Sequence, residues 1–166
     1  GISRGPIREA LRQLEKEGLI VNYPYKETVV AEFSEEEVVD VFIPIRLTLE
    51  RYCVQKACQK INREAIGHLQ HYVDQLIQAA ARKDAPTIVE NNLLFHKYIV
   101  SLAGSKSLEL IWNSIMNRIR MHFYHLGAKS DVDSAMQDAL EHQHILDAIA
   151  ERNAEKACRL LEKHIK

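Results

Sequence analysis

The feature that most constrains this chain is a helical repeat of apolar residues that begins at residue 34 and continues to the end. Apolar side chains recur at three- and four-residue spacing, which is the pattern of amphipathic α-helices. Glycine and proline number only 6 and 4 in 166 residues, so few positions interrupt it. The pattern predicts a mainly α protein. The predicted helices cover approximately residues 34–59, 62–83, 84–104, 107–126, 133–152 and 153–166. Ser34 and Glu37 predict a capping box at the start of the first helix, and Pro44 predicts that this helix is kinked or split in two.

The beginning of the chain has a different pattern. Pro6 suits the first turn of a short helix, and Gly18 is typical of a helix end. Apolar pairs on both sides of residues 24–27 predict two short strands with a tight connection. We therefore predict a helix-plus-hairpin domain at residues 1–31 and a six-helix bundle at residues 32–166.

Charge and composition narrow the class of protein. The net charge of −1 gives no global attraction to a polyanion, so nucleic-acid binding would need a local basic patch. Three cysteines without a CxxC pair are typical of a reduced cytosolic chain. No apolar run is long enough to span a membrane, and no signal-peptide pattern is present at the start. These observations predict a cytoplasmic protein without a membrane partner.

Polar side chains lie on the apolar stripes of three predicted helices. His142 shares the stripe of Ile145, Leu146 and Ile149, whereas His144 lies about 160° away around the helix. Asn92 and His96 are i, i+4 neighbours on another stripe, and His164 lies on the stripe of the last helix. A single inward histidine is usually a hydrogen-bonded core residue. Three of them on separate helices also suit a metal site, because neutral imidazole binds Zn²⁺ and Ni²⁺ well. Spacing alone leaves both interpretations open.

Arg46 is a further inward polar residue, on the stripe of Phe42, Ile45 and Leu49. A buried guanidinium needs a partner. One interpretation is a local i, i+4 pair with Glu50. The other is a clamp for the carboxylate or phosphate of a small effector, with Arg118 and His122 lining the same cavity.

A basic cluster opens the first helix. Ser3 precedes it, and Arg4, Arg8 and Arg12 recur on one face. Such a helix suits phosphate and major-groove contacts, and Lys26 at the hairpin tip could reach an adjacent phosphate. Taken alone, an exposed helix that mixes arginine and glutamate is ordinary.

Two stretches carry a resemblance to a known family. The segment SRGPIREALRQLEKEGLI, followed by PYKETVVAEFS, resembles the end of the winged helix-turn-helix domain of GntR-family bacterial transcription regulators. The remainder resembles the FCD (FadR C-terminal) effector domain of that family. The matching motifs are R-x-x-L-E at residues 46–50, FH at 95–96, AG at 103–104, EH-x-x-I-L-x-AI at 141–149 and the final histidine at 164.

The resemblance implies a DNA-binding regulator that acts as a homodimer on operator DNA and responds to a small carboxylate-bearing metabolite. In the family, the positions of Ser3, Arg4, Pro6 and Arg8 lie on the recognition helix. The ligands of a divalent metal, zinc or nickel, correspond to Asn92, His96, His142 and His164.

Three departures from the family pattern affect these expectations. Asn92 stands where the family usually has Asp, which predicts weaker metal binding. Glu27 stands where the wing tip usually has Gly, which puts the wing contacts in doubt. The first two helices of the DNA-binding domain do not precede Gly1 in this sequence, which predicts a fragment with weak operator binding.

A metal-dependent hydrolytic enzyme is the competing class, because three histidines and an open position can activate water. No carboxylate on a stripe near the histidines stands out as a general base. Glu141 points about 100° away from its neighbour His142 by the helical repeat. The sequence therefore favours a regulator over an enzyme.

Overall fold

The computed structural model describes residues 3–23, 27–31, 34–127 and 132–166. The described part begins with helix α1 (Arg4–Lys16) and two antiparallel strands, β1 (Ile20–Asn22) and β2 (Thr28–Val30). Ile20 pairs with Val30 in this hairpin. The predicted short helix and two short strands are confirmed, while Lys26 lies outside the described residues.

Gly18 ends the first helix in the way the sequence predicts. Its φ is +70°, a conformation that only glycine adopts without cost. The N–H of Gly18 donates to the carbonyl of Glu15 and that of Leu19 to the carbonyl of Leu14, both at 2.9 Å. A Cβ atom at Gly18 would lie 2.7 Å from a terminal guanidinium nitrogen of Arg118, so this turn packs closely against the bundle.

Six helices form the bundle, as predicted. They are α3 (Ile43–Lys60), α4 (Arg63–Arg82), α5 (Ala85–Leu102), α6 (Lys106–Gly127), α7 (Val132–Ala150) and α8 (Ala154–Ile165). The side chains of Asn62, Asp84 and Asn153 each accept a hydrogen bond from the backbone N–H three residues later. These caps fix where α4, α5 and α8 begin, because they satisfy N–H groups that have no partner within the helix.

The structure divides the first predicted helix, which Pro44 was expected to kink or split, into three helical segments. Ser34 caps a short helix α2 (Glu35–Glu37), as expected. A π-helical turn at Val38–Phe42 follows, in which the N–H of Ile43 donates to the carbonyl of Val38, five residues back. Pro44 has no N–H, and its ring crowds the carbonyl of Asp40. The wider turn accommodates the proline at the first turn of α3, so the chain absorbs it without a sharp break.

The bundle packs around a core that is apolar except at one place. Helix α4 contacts α5 and α7, and α3 contacts α5 and α8. Large side chains such as Phe95, Ile99, Ile145 and Leu161 are completely buried. Among the residues whose burial the structure describes, four polar or charged ones share this core, and three of the helices supply them: Arg46, Glu50, His96 and His142. None of the described helices is both long and apolar enough to cross a membrane.

Candidate metal centre

Three imidazole rings from α5, α7 and α8 meet inside the bundle. The ring centroids of His142 and His164 are 4.2 Å apart, and that of His96 lies 5.3 Å from each of the other two. One ring nitrogen of each histidine lies within 4.8 Å of the corresponding nitrogens of the others. His96 and His142 are fully buried, and the side chain of His164 is 4% exposed. The helical stripes identified in the sequence therefore converge on one point.

The hydrogen bonds behind the rings define which nitrogen faces that point. Nδ1 of His96 lies 2.7 Å from Oε2 of Glu50, and Nδ1 of His142 lies 2.7 Å from the backbone carbonyl of Asp138. Nδ1 of His164 lies 3.2 Å from Oε2 of Glu141. An ionised carboxylate or a carbonyl only accepts, so each Nδ1 carries the proton in these contacts. Each Nε2 then presents a lone pair to the interior.

Two lone pairs face each other at close range. Nε2 of His96 and Nε2 of His164 are 3.3 Å apart. With both Nδ1 atoms protonated, neither Nε2 has a hydrogen to donate to the other. Two nitrogens bound to one tetrahedral Zn²⁺ at 2.0–2.1 Å would be separated by about 3.3 Å. The spacing therefore suits a shared cation.

Two other buried atoms, one on a ring at this centre and one on an amide of α5, have no hydrogen-bond partner among the described residues. They are Nε2 of His142 and Oδ1 of Asn92. Nδ2 of Asn92 donates to Oδ2 of Asp138 at 3.5 Å, which leaves the amide oxygen as the available atom. A buried acceptor without a partner costs about 1–3 kcal/mol. A bound ion would remove both costs, so the donor set fits a metal.

A second buried network supports His96 from behind. Oε1 of Glu50 accepts from Nε of Arg46 and from Nε1 of Trp112, both at 2.8 Å. The local pair between Arg46 and Glu50, one of the two interpretations of Arg46 in the sequence, is therefore present. Arg46 is 3% exposed, and its positive charge acts on all three histidines by lowering their pKa values.

The electrostatics keep the imidazoles neutral. Burial, with a smaller contribution from the positive charge of Arg46, lowers the pKa of His96 to about 4 against the opposing effect of Glu50. Burial likewise lowers the pKa values of His142 and His164. Burial by itself would raise the pKa of Glu50, but Arg46, His96 and Trp112 together hold it well below its usual value. Neutral imidazole is the form that binds a metal, so protons do not compete for the site near pH 7.

The sequence analysis missed the carboxylates around the histidines. The sequence shows no carboxylate that stands out as a general base, whereas in the structure three carboxylates, those of Glu50, Asp138 and Glu141, lie behind the imidazole rings. Oδ1 of Asp138 lies 3.4 Å from Nδ1 of His164, and Glu141 reaches the same nitrogen across the α7–α8 contact. Burial raises the pKa of Asp138. One signal was available in the sequence: Asp138 precedes His142 by four residues, the spacing of neighbours on a helix.

Two further residues, Arg118 and His122, were predicted to line an effector cavity. Arg118 donates to the carbonyl of Ser114 at 3.0 Å, lies 5.6 Å from the ring centroid of Phe42 and approaches Gly18. These contacts place Arg118 at the junction with the α1–β1 turn, and its role in effector binding stays a prediction. The side chain of His122 lies outside the described residues.

Four of the five predicted DNA-binding residues lie together at the N-terminal end of α1, and the fifth, Lys26, lies outside the described residues. Ser3, Arg4, Pro6 and Arg8 are all exposed, and no residue of α1 is buried. Ser3 occupies the N-cap position, but its side chain makes no capping hydrogen bond. The hydroxyl and both guanidinium groups therefore face outward along one end of the helix.

The fold and the family match define a transcriptional regulator of the GntR/FCD type and not an enzyme, as the sequence analysis predicted. Residues 42–166 match the FCD domain model, and the chain belongs to this family.

Similar proteins agree with that class. The chain is 25% identical over 158 residues to the HTH-type transcriptional regulator YdhC of Bacillus subtilis, covering 95% of this chain and 69% of the relative. It is 26% identical over 166 residues to the probable D-xylose utilization operon transcriptional repressor of Paenarthrobacter nicotinovorans, covering 99% and 71%. The solved structure of E. coli McbR/YncC has the same fold, with a TM-score of 0.90 at 22% identity over 99% of this chain and 77% of that one.

Proposed function

We propose that the bundle is a metal-dependent sensor domain that binds one divalent ion, zinc or nickel, through His96, His142, His164 and Asn92. One observation carries the proposal: Nε2 atoms from three helices converge while every Nδ1 is engaged by an acceptor. The ligand atoms would be the three Nε2 atoms and Oδ1 of Asn92. All are neutral, so the bound ion would keep its full double positive charge.

That charge favours an anionic effector. When bound, the metal would supply a Lewis-acidic position for a carboxylate oxygen. Arg46 adds a second positive charge nearby, which is balanced in part by Glu50. The proposed effector is therefore a small carboxylate-bearing metabolite. Effector binding would shift the equilibrium between two conformations of the regulator. The size of that shift is set by the difference between the effector's affinities for the two conformations.

Helix α1 is proposed as the recognition helix for operator DNA. Ser3, Arg4 and Arg8 are exposed at its N-terminal end, where side chains and backbone N–H groups suit phosphate and base contacts. Pro6 belongs to the same turn, and Lys26 is kept as a proposed wing contact. The regulator is proposed to act as a homodimer, because two copies related by a two-fold axis match the two half-sites of a palindromic operator. An apolar surface groove lined by the exposed Ile45 and Tyr52 of α3 and the half-buried Leu108 of α6 supports self-association of the bundle.

The metal proposal is tested with one altered ligand and one matched control. The wild-type chain, stripped of metal and titrated with Zn²⁺ against a competing chelator, should bind one ion per chain. His142→Ala should weaken Zn²⁺ binding by at least about 100-fold, because a ligand contributes no less than the groups that orient it. His144→Ala, which changes an exposed histidine on the same helix, should leave the affinity unchanged. Equal affinity in the His142→Ala variant would contradict the site.

Operator binding is tested separately. Replacing Arg4 and Arg8 by alanine in the full chain should weaken binding to an operator fragment by about tenfold or more, since each arginine contact contributes about 1–3 kcal/mol. Fluorescence anisotropy measures the affinity. Sedimentation velocity is the control, and wild type and variant should both sediment as dimers. Unchanged operator affinity would exclude these arginines as DNA contacts, and monomers in both samples would contradict the homodimer.

A further inference from the structure

Glu50 is the most completely enclosed acidic residue among those described. It lies on α3, has no exposed surface, and has both carboxylate oxygens engaged. Oε1 accepts from Arg46 and Trp112, and Oε2 accepts from Nδ1 of His96. Burying a carboxylate is expensive unless it is paired and fully hydrogen-bonded. The three donors come from α3, α5 and α6, so the enclosure depends on several helices at once.

The donors also fix the ionisation state and orientation of the group. The positive charge of Arg46 compensates the negative charge of Glu50 at 2.8 Å. Arg46 and Trp112 have only donors to offer, so Oε1 must accept from both. The carboxylate therefore cannot rotate away or become a donor without losing two hydrogen bonds. Oε2 is left facing His96 as a permanent acceptor.

We propose that Glu50 is a positioning residue that locks His96 in the Nδ1-protonated tautomer and thereby directs its Nε2 lone pair at the metal position. This inference rests on the proposed function for its biological meaning, but the tautomer itself is a property of the metal-free chain. A carboxylate behind a ligating histidine also makes the histidine a stronger ligand. Glu50 would thus act on the ion through His96 without touching it.

The other two histidines are held less strictly. His142 uses a backbone carbonyl, which no side-chain substitution removes. His164 has two candidate acceptors, Glu141 and Asp138, whose side chains are 24% and 36% exposed. Loss of one acceptor leaves the other in place. Among the described residues, His96 is therefore the ligand whose tautomer depends on a single side chain.

The isosteric variant Glu50→Gln separates positioning from packing. An amide keeps the shape of the carboxylate, but one of its two ends is a donor. Arg46 and Trp112 both need an acceptor at the position of Oε1, so the amide oxygen should occupy that position. The NH₂ group then lies opposite Nδ1 of His96. That ring nitrogen must then accept, so the proton moves to Nε2. The nitrogen that should bind the metal is blocked until it loses this proton.

Two measurements test the proposal. In metal-free protein, the ¹⁵N NMR shifts of the His96 ring should report the Nδ1–H tautomer in wild type and the Nε2–H tautomer in Glu50→Gln. In a Zn²⁺ titration against a chelator, the variant should bind about 10–100-fold more weakly than wild type. Glu162→Gln is the matched control, because it makes the same change in a partly exposed carboxylate that pairs with Arg51. Its Zn²⁺ affinity and His96 tautomer should equal those of wild type.

The outcomes separate this inference from the metal proposal. If His96 of the wild-type chain is protonated at Nε2, the inference is wrong. This measurement needs no variant, so it tests the inference even if Glu50→Gln fails to fold. An unchanged tautomer in a folded Glu50→Gln variant also overturns it. If the tautomer changes as expected but wild type binds no Zn²⁺, the metal site is wrong and the positioning role of Glu50 stands.

Discussion

Arg46→Met is expected to lower the free energy of unfolding by about 3–5 kcal/mol at neutral pH, because it leaves the Glu50 carboxylate buried without its charge partner. Arg46 and Glu50 are 3% and 0% exposed, and Nε of Arg46 lies 2.8 Å from Oε1 of Glu50. Methionine replaces the volume of the side chain but supplies no donor. Urea unfolding of the chelator-treated protein, followed by circular dichroism, measures the effect.

An ion pair between α3 and α8 provides the comparison. Arg51 pairs with Glu162 at 3.0 Å, but these side chains are 46% and 35% exposed. Arg51→Met should therefore cost about 1 kcal/mol or less, since water screens the pair and solvates the remaining carboxylate. Arg46→Lys, which keeps the charge and loses the planar fork, should fall between the two. Equal costs for Arg46→Met and Arg51→Met would show that Glu50 does not depend on Arg46.

The metal-free chain is expected to lose stability as the pH falls from about 6.5 to about 4. The pKa of His96 is about 4 in the folded chain against 6.5 for an ordinary histidine. In that interval the unfolded chain takes up a proton that the folded chain does not, so the free energy of unfolding decreases with decreasing pH. For His96 alone the full loss is about 3 kcal/mol. His142 and His164, whose pKa values are also lowered, act in the same direction.

Thermal or urea unfolding at a series of pH values tests this expectation. The variant His96→Gln should flatten the profile between pH 6.5 and 4.5, because it removes one of the titrating groups. The variant His144→Gln should keep the wild-type slope, since His144 is exposed. Stability independent of pH over this interval would mean that the buried histidines take up protons in the folded chain. In that case the metal would have to compete with protons near neutral pH.

The meeting of the histidines was foreseeable because each lies on the apolar stripe of its own helix. A stripe defines which side chains face the core, and a six-helix bundle has one core. The periodicity does not define how far along the bundle axis each residue lies. The distance between His96 and His164 is therefore known only from the structure. The division at residue 31 and the roles of the site residues remain predictions.

The outer carboxylates were not foreseeable in the same way. Glu50 looks like half of a local pair with Arg46, and only the packing of α5 and α6 against α3 adds His96 and Trp112 to it. Glu141 faces away from His142 on α7, yet its side chain spans the gap to α8. The periodicity of a single helix does not show whether a long side chain can contact a neighbouring helix.

The π-helical turn at Val38–Phe42 has a consequence for how the chain can vary in length. Such a turn contains one residue more than an α-helical turn while the flanking turns keep their orientation. Deleting one residue here would let the segment close as ordinary α-helix, with Ser34 still at its cap and Arg46 still facing inward. One residue can therefore be added or removed at this turn in the course of evolution. The flanking helices α2 and α3 would keep their orientation relative to each other.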